Sequence, residues 1–173
     1  MNLFRWRFGF ALVFLACAGM IGFALYHQFY QWLMPCLYCV YERIGIIVTG
    51  LLALVAAIFP PKTRTGVYAQ TGLLTVAAGV TAAVGIRHTW YQYTPRDPSA
   101  LCPSSLPFPI DLNALPGWLA SVIRPVGDCG NIDFTLFGIT MPAWVAVAGV
   151  AIVVWSWSLC RHQLNEIRRN QWR

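Results

Sequence analysis

Residues 44–59 read Ile-Gly-Ile-Ile-Val-Thr-Gly-Leu-Leu-Ala-Leu-Val-Ala-Ala-Ile-Phe, without a single charge. Such a run is either a buried core helix or a membrane span, and its surroundings decide which. Uncharged stretches recur along the chain. No Asp, Glu, Lys or Arg occurs between Arg7 and Glu42, between Arg43 and Lys62, between Arg64 and Arg87, or between Asp133 and Arg161. Each gap holds close to the ~20 apolar residues that carry a helix across a bilayer. The 173-residue chain is 58% apolar and 10% charged, against about 25% charged in a soluble domain. Four apolar helices in so small a chain leave no polar shell to bury them. The spans are expected at about 8–26, 44–59, 67–86 and 142–159, and as helices, because lipid offers no partners to backbone N–H and C=O groups. The expected fold is an all-α membrane protein: one integral membrane domain over 1–173, built as a four-transmembrane-helix bundle.

Arg5 and Arg7 precede the first span as they would precede a signal peptide. Its apolar stretch runs to Tyr26, longer than a ~7–15-residue signal core, and no A-x-A site follows, so it is read as a retained span. Net charge is +6, and its distribution sets the orientation. Arg5, Arg7, Lys62, Arg64, Arg161, Arg168, Arg169 and Arg173 fall on one side of the spans, which the positive-inside rule makes cytoplasmic. Glu42, Asp97, Asp111, Asp128 and Asp133 fall on the other. Both termini are therefore expected inside, and the basic tail is explained by topology without nucleic acid.

Two segments face outward, at about 27–41 and 88–140. The second is long, and seven of the eleven prolines lie between His88 and Asp133. Loops beyond ~12–15 residues without secondary structure of their own are uncommon and usually functional. Within it, Leu112–Ile123 reads either as a short interfacial helix anchored by Trp118 or as loop packed onto the bundle.

Topology also sorts the six cysteines. Cys17 lies inside the first span and Cys160 at the cytoplasmic end of the fourth, where free thiols serve as small buried hydrophobes or stay reduced. Cys36, Cys39, Cys102 and Cys129 lie outside. In an oxidising periplasm, four outward cysteines argue for two disulfides. Cys36-Leu37-Tyr38-Cys39 suits redox chemistry, because its small ring is constrained and the N-terminus of a helix stabilises a thiolate. Of the two, Cys39 reads as better placed for that help. Arg43, one turn beyond Cys39, either snorkels to the interface or stabilises a thiolate or donates to a carbonyl oxygen. Glu42 opposes part of its charge. A zinc site made of Cys36, Cys39, Cys102 and Cys129 lacks the second close-spaced pair such sites use. His27 and His88 show no paired placement suited to haem, and His88 beside Arg87 reads first as a solvated interfacial residue. No metal and no haem is expected.

The run Pro35-Cys36-Leu37-Tyr38-Cys39-Val40-Tyr41-Glu42-Arg43 resembles the P-C-x-x-C-x-Y-E-R signature of the disulfide bond formation protein B (DsbB) family. Arg87-His88-Thr89, Gly127-Asp128-Cys129 and Met141-Pro142-Ala143-Trp144 continue the likeness in order along the chain. The resemblance implies a protein-disulfide:quinone oxidoreductase of the bacterial inner membrane. It would reoxidise DsbA, a soluble periplasmic thiol oxidase, and send the electrons to ubiquinone or menaquinone. By position, Cys102 matches the loop cysteine that forms the mixed disulfide with DsbA. Cys129 matches its partner, which then attacks Cys36 and releases Cys39 as a thiolate beside the quinone. Arg43 matches an arginine at the quinone and His88 a histidine near the same site, both cofactor-binding. Cys17 and Cys160 match no functional position. A vitamin K epoxide reductase-like protein is the nearest rival, but there the loop pair precedes the C-x-x-C. Two further readings stay open, a specialised thiol-oxidase paralogue and a membrane subunit with ordinary structural disulfides.

Overall fold

The computed structural model describes residues 3–94, 117, 125, 127–132 and 134–171. Among the described residues four long helices carry the fold: α1 (Leu3–Tyr30), α2 (Leu37–Ile58), α3 (Arg64–Tyr93) and α4 (Met141–Gln171). A minimal antiparallel hairpin, β1 (Thr135–Leu136) and β2 (Ile139–Thr140), leads directly into α4. All four helices are long and apolar enough to cross a membrane. Their outward faces are aliphatic: Leu15, Leu51, Val76 and Val154 are all more than half exposed. Water would penalise such a belt, and lipid tails match it.

Each helix extends past its apolar run. α1 continues to Tyr30 and α3 to Tyr93, and α2 begins at Leu37 rather than near Ile44. Backbone hydrogen bonding propagates wherever a helix has begun, so the end of the apolar run is not the end of the helix. Glu42, Arg43 and His88 therefore belong to helices, not to loops. The ends themselves are set locally. Thr63 caps α3 by accepting from the Gly66 amide at 3.1 Å, and Pro60-Pro61 stop α2. Most of the Leu112–Ile123 segment, and Cys102, lie outside the described residues.

The helices pack in the order α1–α2–α3–α4, with α1 also touching α4. Lipid provides no hydrophobic force between helices, so close approach and polar contacts hold them. The α3–α4 seam is built from small residues. A methyl group at Gly149 would stand 2.9 Å from the Ala78 carbonyl oxygen, and one at Gly85 would stand 3.0 Å from the Ala146 nitrogen. At one end of the bundle the Trp6 indole donates to the Ala56 carbonyl at 3.0 Å and Arg7 donates to the Ile58 carbonyl at 3.2 Å. These bonds satisfy carbonyls that the end of α2 leaves open. Trp6, Phe10, Ala53, Leu74 and Ile152 fill the apolar core. The start of α2 and the end of α3 lie at the other end.

Candidate functional site

Cys36 is the N-cap of α2, with an extended backbone (φ −84°, ψ 174°), and its sulfur accepts from the Cys39 amide at 3.2 Å. Pro35 suits this entry, since its fixed φ and missing N–H cost nothing ahead of a cap. One helical turn then brings Cys39 back over Cys36, and the two sulfurs stand 2.7 Å apart as thiols. Cys36 is buried and Cys39 half-buried. The Cys39 thiol, followed by the amides of Cys39 and Tyr38, pulls the Cys36 thiol below its ordinary range, while burial and Glu42 oppose the shift. The sequence pattern favours Cys39 for the help of the helix end. The structure gives that help to Cys36, because the cap residue's side chain folds back onto the free amides and Cys39 supplies one of them.

The next turn of α2 carries a second layer. Glu42 is 5% exposed, His88 of α3 is 2% exposed, and Glu42 Oε1 lies 2.8 Å from His88 Nδ1. The other ring nitrogen, Nε2, lies 3.5 Å from Cys36 Sγ. The Tyr38 ring stacks on the imidazole with centroids 5.4 Å apart, and the Cys129 backbone also bonds to it. His88 is thus not the solvated interfacial residue its neighbour Arg87 suggests. α3 continues through it, and its side chain enters the bundle. Arg43 does not snorkel either. It is buried, and its guanidinium donates to the Gln28 side-chain oxygen of α1 at 2.5 Å.

Cys129 is fully buried and disulfide-bonded. It packs against Cys36 and Leu37, with Tyr38, Cys39, Tyr41 and Tyr91 around them. The loop is fixed there by the Gly127 amide, which donates to the Pro35 carbonyl at 3.0 Å. Gly127 is needed for the approach, because a Cβ would collide with the Met34 carbonyl. The Gly130 amide donates to Asp128 Oδ1 at 3.0 Å, and the Gln92 side chain of α3 donates to the Asn131 carbonyl at 3.3 Å. Of the four outward cysteines, three come together, and Cys102 lies outside the described residues.

Beneath Cys39 is a cavity of about 540 Å³ between α1, α2 and α4. Phe23, Ile46, Val145 and Ala148 give it apolar walls, while Cys39, Arg43 and His88 present polar atoms to it. Volume, apolar walls and one guanidinium suit a planar hydrophobic molecule with a carbonyl oxygen. Two α1 residues carry no sequence signal for this site. Gln28 sits among aromatics with no motif to single it out, and its role as the Arg43 acceptor depends on the α1–α2 crossing. His27 stands out in the sequence only as a candidate haem ligand. It lines the cavity, buried against Phe23 and Phe134, with Nδ1 2.6 Å from the Gln31 oxygen. Cys36, Cys39 and His88 also bring donor atoms within 4.8 Å of one another, the one cluster with metal-ligand spacing among the described residues. Cys17 is buried in the core beside Gly50, and Cys160 is buried in the same core nearer the α4 terminus.

A thiol pair at a helix cap, touching a disulfide cysteine on one side and an apolar cavity on the other, is the arrangement of a membrane-embedded thiol–disulfide redox protein. Comparison with known sequences agrees. Residues 6–159 match the family model described as disulfide bond formation protein DsbB. The disulfide bond formation protein B of Xanthomonas campestris pv. campestris (strain 8004) is 37% identical over 158 residues, covering 90% of this chain and 92% of the relative. That of Chromobacterium violaceum is 41% identical over 152 residues, covering 87% and 90%. The Hahella chejuensis protein is 35% identical, covering 87% and 91%. The chain belongs to the DsbB family: it is a multi-pass membrane oxidoreductase that acts on protein disulfides.

Proposed function

We propose that the protein reoxidises a soluble periplasmic thioredoxin-fold oxidase of the DsbA kind and passes the electron pair to membrane quinone, ubiquinone or menaquinone. The observation that carries this reading is the placement of Cys129 against Cys36 while Cys39 opens onto the cavity beside Arg43. Thiol–disulfide exchange requires a thiolate to reach a disulfide sulfur. Cys102, on the proline-rich loop, meets the soluble partner. The Cys129 thiolate so released attacks Cys36, its buried neighbour, and Cys39 leaves as the thiolate that faces the cavity. A quinone bound there supplies a two-electron acceptor whose reduction drives the cycle forward. Arg43, held by Gln28, presents a guanidinium that stays protonated and donates to a carbonyl oxygen. Ile46, Phe23 and Val145 exclude water around the thiolate.

The orientation follows the charge. Arg5, Arg7, Lys62 and Arg64 gather at the end of the bundle remote from Cys36, where Trp6 and Arg7 close α2. That end is cytoplasmic by the positive-inside rule, so the cysteine end faces the periplasm across the bacterial inner membrane.

The test is loss of quinone absorbance on adding a reduced DsbA-type donor to the purified protein in nanodiscs. Wild type is expected to turn over, Cys102→Ser to stop transfer from the donor, and Cys39→Ser to stop quinone reduction altogether. Turnover by Cys39→Ser would remove Cys39 from its role. A folded wild type that reduces no quinone would favour structural disulfides instead.

A further inference from the structure

The thiol-to-quinone reading leaves two buried groups without work: Glu42, and the ring nitrogen of His88 that points at sulfur. We propose that His88 is the proton acceptor and donor for Cys36, and that Glu42 is the positioning residue that holds its ring. The inference rests on that reading and adds the path of a proton to it.

The geometry is a chain of three. Glu42 Oε1 is 2.8 Å from His88 Nδ1, and His88 Nε2 is 3.5 Å from Cys36 Sγ. All three residues are at least 95% buried. A carboxylate at Nδ1 fixes the tautomer with its proton there, so that Nε2 of the neutral ring is an acceptor aimed at the thiol. Nucleophilic thiols are commonly activated by such a base, itself oriented by a third group. Tyr38 stacks on one side and Cys39 is close by. The Cys129 backbone bonds to the ring from the loop and can only accept a ring proton, so with Nδ1 on Glu42 it shares Nε2–H with Cys36 and favours the protonated ring. His88 also lines the cavity, so a proton taken from Cys36 has somewhere to go.

The balance is simple. Closing the pair converts Cys36–SH and Cys39–SH into one S–S bond and releases two electrons and two protons, which reduce quinone to hydroquinone. His88 Nε2 takes the proton of Cys36 as its sulfur bonds to that of Cys39, and the electron pair given up by the Cys39 sulfur passes to the quinone. Both thiol protons, that of Cys36 by way of His88, end on the quinone oxygens. Earlier in the cycle the direction reverses. When Cys102 attacks Cys129 in the Cys129–Cys36 bridge, Cys36 leaves as a thiolate, and protonated His88 returns a proton to it. Glu42, 2.8 Å from Nδ1, holds the ring in the same place in both steps.

The test uses the full-length chain in nanodiscs carrying Cys102→Ser and Cys129→Ser, so that only Cys36 and Cys39 exchange. One arm needs no quinone. The reduced protein is alkylated with iodoacetamide from pH 4.5 to 8.5, and Cys36 labelling is read by peptide mass spectrometry. His88→Gln is expected to slow Cys36 labelling at pH 6 about tenfold or more, and Glu42→Gln less, with Glu42→Asp restoring part of the rate. The second arm follows oxidation of the pair by a short-chain ubiquinone. Here His88→Gln is expected to lower kcat about 100-fold with KM changed less than about threefold, and to flatten the acid limb of the pH profile. An unchanged labelling profile in His88→Gln, or a raised quinone KM with kcat intact, overturns the proposal and makes His88 a quinone contact. If the parent reduces no quinone yet its labelling depends on His88, the quinone reading fails and the proton relay stands.

Discussion

Ala148 and Gly149 are neighbours on α4 and face opposite tasks. Gly149 lies on the α3 seam, so close to Ala78 and Ala82 that a single methyl has no room. Ala148, about 100° around the helix, lines the cavity under Cys39 together with Val145 and Met141. One face of α4 is locked to its partner, and the other is held away from α1 and α2. In lipid a helix pair closes only where small residues let the backbones meet. The cavity therefore persists where larger side chains, Met20 and Phe23 of α1 among them, keep α1 from closing on α4. Rigidity on one side of a single helix is what permits an open space on the other.

Enlarging the two neighbours should break this contrast in opposite ways. Gly149→Leu is expected to cost about 3 kcal/mol or more, because the seam is backbone against backbone and has no side chain that can yield. Thermal unfolding in detergent reads it, and a melting temperature equal to wild type would mean that the seam is not tight. On the open side, Arg43→His removes a charged donor worth about 1.5–3 kcal/mol. The apparent KM for quinone should rise about 10- to 100-fold at that magnitude, with the melting temperature nearly kept. An unchanged KM would take Arg43 out of the quinone site. Ala148→Phe occupies cavity volume rather than forcing a seam apart, so KM should rise about tenfold while stability stays within about 1 kcal/mol. Loss of the fold in Ala148→Phe would show that the cavity has no room for a ring. The mildest test concerns charge. Hydrogen bonds to a thiolate favour the charged form, so Cys36 in the reduced protein should be half-alkylated below the pH of about 8.5 typical of a free thiol. Cys39→Ala, which removes the largest contributor, should move that midpoint upward.

Part of this is plain in the sequence and part is concealed, for reasons that can be named. Uncharged runs reveal spans because each charge left in lipid is costly, and four of them are visible without any structure. The residues that set the cavity carry no comparable mark. Ala148 and Gly149 look alike in a composition, and only the direction in which α4 presents them separates their roles. The Cys36-x-x-Cys39 spacing predicts a facing pair at the start of a helix. Which sulfur benefits from the helix end depends on where the helix begins, and a boundary is the weakest thing that a periodic pattern gives. A start one turn away is enough to shift the advantage from Cys36 to Cys39. The burial of His88 is hidden for the same reason, because the charge on Arg87 ends the apolar run but does not end α3. Gln28, paired with Arg43 across helices, emerges only from the crossing itself.

The sulfur of Cys36 caps its own helix. An N-cap acceptor is worth about 0.5–2 kcal/mol to the turn it closes, and a thiolate is a far better acceptor than the neutral sulfur of a disulfide. Every change in the bonding of Cys36 therefore alters how firmly the Cys39 amide is held, and the opening turn of α2 acts as a gauge of electron occupancy. Above the Cys36 midpoint, solvent deuterium should enter that amide faster in the oxidised protein than in the reduced one, giving a readout of the redox cycle that needs neither a colour change nor a partner.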